Sequence, residues 1–181
     1  NTVMNEDAWR REKNDVYWLG RLPLAKFENK FNGFEDYEFK FIKNEEEFNQ
    51  NKEGIIKGFK EFKKDIPNWG LSTDIDNILQ KLKEGNNLQV AFHNGVAVQW
   101  NWFFVNEINI NDHDNWDYNF KIPPNSTYSA WWWCDPKYRF KRHFMMAFAN
   151  FVYSVSYNEG FEYDYFYCDG WNNNSRSMLS I

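Results

Sequence analysis

Five residues with basic side chains fall within seven consecutive positions of the chain: Lys137, Arg139, Lys141, Arg142 and His143. The apolar stretch FMMAFANF follows at once. A helix N-terminus offers unpaired N–H groups and the positive end of its dipole to an anion, and Lys and Arg side chains add charge-assisted hydrogen bonds. We therefore expect an anion site that suits a phosphate group; an ordinary solvated turn is the alternative.

Two predicted strands flank this basic cluster. TYSAWWWC ends at Cys134 and FEYDYFYC ends at Cys168, and the sequence between them predicts a helix from about Tyr138 to Tyr157. The core face of that helix is expected to carry Phe140, Phe144, Phe148, Phe151 and Val155. A strand, a covered helix and a second strand form a βαβ unit, so the two strands should be parallel neighbours. We expect the chemistry in this unit.

One strand and two helices are predicted upstream of the unit. YEFKFIK alternates apolar and polar residues, as a half-buried strand does. Asn44 and Glu47 have the spacing of a capping box and predict the start of a helix, in which Gly54 and Gly58 each cost about 1 kcal/mol relative to Ala. A second helix should have Ser72 or Thr73 as its cap and Gly85 just past its end. The first helix is expected to bury Phe48, Ile55, Phe59 and Phe62.

The middle of the chain predicts a hairpin followed by a loop. Strands at roughly 88–93 and 96–105 are joined by Asn94-Gly95, a pair that tolerates positive φ at both central turn positions. Residues 106–125 are polar, contain two consecutive prolines and predict a loop with room for a short strand. After the last strand, NNNSRSMLSI has the residues that begin a helix.

Composition limits the classes of function. The 181 residues suffice for one domain with an N-terminal arm at residues 1–36 that packs on the domain or on a partner. A net charge of -5 without an extended basic surface argues against nucleic acid. The two cysteines show no zinc spacing, and no metal is expected. The sequence contains no apolar run of membrane-spanning length and no secretory signal pattern, so we expect no membrane partner and a cytoplasmic location.

The stretch from Cys134 to Met178 resembles the GNAT family of N-acetyltransferases. In that family a strand leads into V-x-P-x-Y-R-G-K-G-I-G, and N-x-x-S begins a later helix. The chain matches the strand and loop positions and the later helix start at the following residues: Cys134, Pro136, Tyr138, Arg139, Lys141, Asn172 and Ser175. VAFHNGVAVQW resembles the family's second and third strands. The resemblance covers about residues 37–181.

This resemblance implies an α/β fold with a mixed sheet, helices on both faces and the order β-α-α-β-β-β-α-β-α, with the family's last two strands absent from the sequence. It implies acetyl-CoA as the acyl donor and an amine of unidentified structure as the acceptor. The main chain of residues 132–134 would hold the pantetheine arm, and the amides of residues 139–144 would hold the pyrophosphate. The implied cofactor residues are Trp132, Trp133, Cys134, Arg139, Phe140, Lys141, Arg142, His143, Phe144, Asn172 and Ser175.

The sequence departs from the family in ways that support a second hypothesis. Phe140, Arg142 and Phe144 stand where the family has glycines. Leu179 stands where the family usually has a tyrosine that acts as the general acid. The alternative is a non-catalytic protein of the same fold that assembles with a protein partner through its N-terminal arm and aromatic surface, for instance inside a viral particle.

Several residues keep two interpretations. A general base and a solvated charge are both open for the following residues: Glu107, Asp112, His113, Asp114, Asp117, Asp135, Glu162 and Asp164. Trp131, Trp132 and Trp133 form either a stacking platform or, as we favour, part of the core. Cys134 and Cys168 form either a free buried pair, which we favour, or a redox couple.

Overall fold

The computed structural model describes residues 9–10, 16–24, 36–65, 74–112, 116–139 and 141–169. Three strands come first, β1 (Trp9–Arg10), β2 (Val16–Pro23) and β3 (Tyr37–Ile42), followed by the helices α1 (Glu45–Asp65) and α2 (Ile75–Lys83). The remaining elements are β4 (Asn87–His93), β5 (Val96–Phe104), β6 (Glu107–Asp112), β7 (Trp116–Lys121), β8 (Ser126–Cys134), α3 (Arg142–Asn158) and β9 (Tyr163–Asp169).

Seven of the described strands form one mixed sheet in the order β1-β2-β9-β8-β5-β4-β3. Strands β8 and β9 are parallel, as predicted for the βαβ unit, and the other neighbouring pairs are antiparallel. Strands β6 and β7 form a separate hairpin, so the segment predicted as a loop with one short strand contains two strands.

The described part of the predicted N-terminal arm lies in the sheet. Strand β2 runs antiparallel to β9, from Tyr17 opposite Asp169 to Pro23 opposite Tyr163. The composition of residues 1–36 gives no strand period, which is why the sequence predicted an arm. The backbone hydrogen bonds to β9 supply an order that the local pattern lacks.

Helices cover both faces of the sheet and bury two aromatic cores. Helices α1 and α2 pack on one face through residues that include Phe62, Ile78, Trp100 and Trp133. Helix α3 packs on the other face, with Phe144, Phe148 and Val152 among the buried residues. The chain is thus an α/β protein with a mixed sheet between two helical layers.

Helix α1 begins where the capping residues predicted. The Asn44 side-chain oxygen accepts from the Glu47 N–H at 2.9 Å, and the Glu47 carboxylate accepts from the Lys43 N–H at 2.7 Å. The first contact satisfies a donor that a helix start leaves unpaired, and the second ties the residue before the cap to the first turn of the helix. The four apolar residues predicted for its core face, Phe48, Ile55, Phe59 and Phe62, are all buried.

The two glycines of α1 serve packing, which the sequence analysis missed. A Cβ on Gly54 would lie 2.4 Å from the Gly95 carbonyl oxygen, and one on Gly58 would lie 2.3 Å from the Ala97 carbonyl oxygen. Both distances are far below normal contact, so only glycine lets α1 approach the β4–β5 hairpin this closely. The hairpin itself has the predicted turn, with φ of 51° at Asn94 and 72° at Gly95.

Two predicted helix starts are wrong. The cap of α2 is Asp74 rather than Ser72 or Thr73, because the Asp74 carboxylate accepts from the Asn77 N–H at 2.9 Å. Helix α3 begins at Arg142, four residues after the predicted Tyr138. Asp135 instead holds residues 135–138 in a turn, in which its side chain accepts from the Lys137 N–H and its carbonyl accepts from the Tyr138 N–H.

Candidate functional site

Strands β8 and β9 stay paired over only part of their length. Within the described residues their parallel pairs run from Ser126 opposite Tyr163 to Ser129 opposite Phe166. Beyond that point β8 remains paired with β5 as far as Cys134, and β9 remains paired with β2 as far as Asp169. Each strand follows its outer neighbour, so the sheet divides between Ala130–Cys134 on one side and Tyr167–Asp169 on the other. This division is called the β8–β9 gap below.

A β-bulge lies in the wall of the β8–β9 gap. The register between β5 and β8 shifts between Trp100 and Trp102, and Trp131 has a φ of 57°. A bulge redirects a strand and re-aims its peptide groups. A positive φ at a bulky residue marks local strain of the kind that occurs at binding sites.

Main-chain groups of β8 face the gap after the bulge. The Asp135 N–H donates to the Val98 carbonyl of β5 at 2.8 Å. Since successive residues of a strand point their peptide groups to opposite edges, those of Cys134 and Trp132 face the β9 side. The Cys134 carbonyl accepts from Arg139 Nε at 2.8 Å. The gap is therefore lined by strand amides that β9 does not use in the described part of the ladder.

Arg139 clamps the end of β8 to the end of α1. Its guanidinium forms an ion pair with Asp65, the last residue of α1, and the same carboxylate oxygen accepts from Trp133 Nε1 at 3.0 Å. From the sequence, Arg139 is expected at a phosphate, and Asp65 is not marked as its partner. The sequence marks Asp65 only weakly, because the residue precedes the predicted helix end at Ile66-Pro67 and no pattern links it to Arg139.

The remaining described basic residues of the cluster lie at the surface, around the start of α3. Lys137, Lys141 and His143 are exposed. The N-cap of α3 is Lys141, which makes no side-chain capping bond, and the first turn of α3 holds no acidic residue. Helix N–H groups and cations thus concentrate positive potential beside the β8–β9 gap. Phe140 and the side chain of Arg142 lie outside the described residues.

Phe144 does not lie in the gap. It is 1% exposed and its ring centroid lies 4.8 Å from that of Tyr37 and 5.8 Å from that of Tyr138. Tyr138 in turn places its hydroxyl 2.8 Å from His93 Nδ1. Phe144 therefore anchors the start of α3 over the β3–β4 side of the sheet, where a glycine would leave a cavity.

The tryptophan triplet belongs mainly to the cores, as favoured. Trp133 is buried, and Trp131 packs against the α1/α2 core while Trp132 packs against the α3 core.

Burial raises the pKa of the Cys134 thiol to about 12, against the opposing effect of Arg139. Cys134 is a free cysteine. Cys168 lies in β9, and its side chain is outside the described residues, so the pair stays a prediction.

Asp164 is fully buried, and the solvated interpretation of this residue is wrong. Its carboxyl oxygens lie 2.8 Å from Thr127 Oγ1 and 2.6 Å from Ser129 Oγ. Burial raises the pKa of Asp164 to about 7, although the hydrogen bonds from Ser129 and Thr127 act in the opposite direction. Thr127 and Ser129 were not singled out from the sequence; their alternation with Tyr128 was the available signal.

The other base candidates divide into two groups. Asp135 is buried and caps the turn before α3, as described above, while Glu162 is exposed. Side chains of the β6–β7 hairpin are outside the described residues, as are residues 113–115. The side chains of the following base candidates are therefore not described: Glu107, Asp112, His113, Asp114 and Asp117. The predicted helix with Asn172 and Ser175 also lies outside the described residues.

Comparison with protein-family models and with curated proteins finds no match for this chain. Among the described residues, no group of three or more His, Cys, Asp or Glu side chains is placed to hold a metal ion. None of the helices in the described ranges is long and apolar enough to cross a membrane.

Proposed function

We propose that the protein is a GNAT-like N-acyltransferase that binds acetyl-CoA in the β8–β9 gap and transfers the acetyl group to an amine. The observation that carries the proposal is the division of a parallel strand pair directly beside a helix N-terminus with exposed cations. A gap between parallel strands, open at their carboxyl ends, is where α/β sheets bind ligands.

The order of elements supports this proposal. From β3 to β9 the described chain runs strand, two helices, two hairpin strands, strand β8, helix and strand, with the β6–β7 hairpin as an addition. This order is consistent with the one that the resemblance to the GNAT family implies. On the side away from β8, β9 is paired with β2.

Each part of the site has a task in acyl transfer. The peptide groups of Trp132 and Cys134 would pair with the pantetheine amides as a β-strand would. An N–H group in the bulge region would polarise the thioester carbonyl and stabilise the oxyanion that forms on attack. The amine nitrogen would attack the carbonyl carbon, the C–S bond of the tetrahedral intermediate would then break to release the CoA thiolate, and the proton that the amine loses would pass through solvent to that thiolate. Lys137, Lys141 and the α3 N–H groups would hold the pyrophosphate.

One observation favours the non-catalytic alternative. Arg139, a matched motif residue, is engaged by Asp65 and the Cys134 carbonyl, although its side chain is 40% exposed. In that alternative the gap binds no acetyl-CoA, and the contacts of Arg139 only stiffen the junction between α1 and β8. The alternative therefore differs from the enzyme hypothesis in one measurable property, the affinity for acetyl-CoA.

Thermal shift with acetyl-CoA tests the proposal. A ligand that binds the folded state raises the melting temperature by mass action, and about 100 times Kd adds roughly 2.7 kcal/mol of stability. We expect a clear increase at 1 mM acetyl-CoA, a similar one with coenzyme A, and none with pantetheine, which lacks the pyrophosphate.

A charge-reversal pair localises the site. Lys137→Glu with Lys141→Glu should abolish the shift, because it replaces the cations beside the α3 N-terminus. The matched control, Lys60→Glu with Lys63→Glu, makes the same change of charge on exposed residues of α1. An unchanged melting temperature of the wild type at 1 mM ligand would reject the enzyme hypothesis, and equal losses in both double variants would reject the site.

A further inference from the structure

The carboxyl of Asp164 joins β8 to β9 at the last positions that the two strands share. Thr127 lies directly opposite Asp164, and Ser129 belongs to the final parallel pair. Each hydroxyl contacts a different oxygen of the carboxyl, at 2.8 Å for Thr127 and 2.6 Å for Ser129. Two side-chain contacts therefore bridge the strands immediately before the β8–β9 gap begins.

The surroundings of Asp164 favour its uncharged form. The residue opposite Asp164 on β2 is Leu22. The titratable group that α3 places near Asp164 is Tyr153. From β5, Asn101 Nδ2 donates to Ser129 Oγ at 3.5 Å. No Lys, Arg or His of the described chain acts on its titration. A buried carboxylate without a cation is costly, and the hydrogen bonds that Thr127 and Ser129 contribute to it offset only part of that cost.

We propose that Asp164 is a positioning residue that sets where β8 and β9 separate, its carboxyl joining the strands through Thr127 and Ser129 and so fixing the inner end of the gap. It acts through the main chain of β8 and touches no ligand. The role rests on the proposed function only for the identity of the ligand that the gap receives.

This role gives the strand junction a defined pH dependence. The Asp164 carboxyl titrates at about 7 when the strands are joined and near its ordinary value of 3.8 when they open to water. Because the joined form binds the proton more tightly, the junction is most stable below about pH 4. Its stability falls as the pH rises from 3.8 to about 7 and is constant above that. Within this window each pH unit makes opening up to about tenfold more frequent.

Amide hydrogen exchange of the full chain across pH 5, 6, 7 and 8 tests the proposal, with rates corrected for intrinsic exchange. Peptides that cover residues 126–129 and 163–166 should lose protection by up to about tenfold per unit between pH 5 and 7, and little more by pH 8. The β4–β5 hairpin provides the internal control and should show no such loss.

Two variants separate the carboxyl from simple packing. Asp164→Asn keeps the shape without a titrating group, and both side-chain contacts persist once one hydroxyl turns to accept from the amide NH2, so the junction should stay protected and lose its pH dependence. Asp164→Ala should lower protection at every pH. If Asp164→Ala fails to fold, the wild-type pH series and Asp164→Asn still decide the question.

Either of two results would overturn the proposal: equal pH dependence in the junction and in the β4–β5 hairpin, or wild-type dependence retained in Asp164→Asn. Acetyl-CoA binding is measured in parallel at pH 6 by thermal shift. Absence of binding with the expected exchange pattern rejects the proposed function alone, whereas binding without that pattern rejects only the role of Asp164.

Discussion

Asp65 shows how a single residue can tie the candidate site to the rest of the protein. Its carboxylate receives the Arg139 guanidinium and the Trp133 indole N–H, which come from the turn before α3 and from β8. The end of α1 is thereby fixed to the strand that lines the gap. Its contribution is large for a surface pair because one acceptor serves two donors, and one of them is on a buried tryptophan.

Replacing Asp65 by Ala should lower the free energy of unfolding by about 1–2 kcal/mol, since Trp133 Nε1 loses its partner and Arg139 loses its counter-ion. Urea unfolding followed by tryptophan fluorescence measures this. Glu61→Ala is the matched control, because Glu61 pairs with Lys64 at the surface of the same helix and should have a much smaller effect. Equal effects of the two substitutions would contradict the clamp.

Cys134 should be an unreactive thiol. With its pKa raised to about 12 by burial, only on the order of one molecule in ten thousand carries the thiolate at pH 8. Iodoacetamide labelling at pH 8, assigned to Cys134 by peptide mass, should be far slower in the folded protein than in 8 M urea. Comparable rates in the two conditions would show that the thiol is exposed.

At the scale of elements, the close approach of α1 to the β4–β5 hairpin holds the α1/α2 core together. Gly54 and Gly58 lie against the Gly95 and Ala97 carbonyls, where no Cβ fits. The intrinsic preference of a helix for Ala over Gly, about 1 kcal/mol, is smaller than the cost of moving two backbones apart in a packed core.

Gly58→Ala should therefore destabilise the protein by about 1–3 kcal/mol in spite of its higher helix propensity. Chemical denaturation measures the loss of unfolding free energy. The slope of that free energy against denaturant concentration should stay unchanged. Asn49→Ala, at an exposed position of the same helix, should be neutral or slightly stabilising and serves as the control. A stabilised Gly58→Ala would mean that α1 lies further from the hairpin than the structure has it.

For the whole molecule, β2 determines whether β9 has a free edge. It covers β9 along its length, so the strand that forms one wall of the gap is held from its outer side. An uncovered strand edge pairs readily with other chains.

Deletion of residues 1–24 should therefore cause self-association, measured as a shift to larger species in size-exclusion chromatography. Deletion of residues 1–8 alone, which leaves β1 and β2 in place, should remain at the size of the intact chain. If the longer deletion behaves as the shorter one does, β2 is not required to protect β9.

Local patterns predicted the elements well where the signal is local. The Asn44 cap, the Asn94-Gly95 hairpin and the parallel β8–β9 pair all follow from neighbouring residues or from chain order. The Arg139–Asp65 clamp joins residues that are 74 positions apart in the chain. The partners of the buried Asp164 lie 35 and 37 positions from it. The pairing of β2 with β9 spans about 146 positions. No local period encodes contacts at such separations, so the sequence left these residues as a phosphate ligand, a solvated charge and an arm.

The most direct test of the central claim is amide exchange at the wall of the β8–β9 gap with and without acetyl-CoA. If the pantetheine arm pairs with β8, saturating acetyl-CoA should slow exchange at Trp132 and Cys134 by tenfold or more. It should leave the β4–β5 hairpin unchanged. Saturating ligand with no change at residues 130–134, or with protection confined to another surface, would contradict the account.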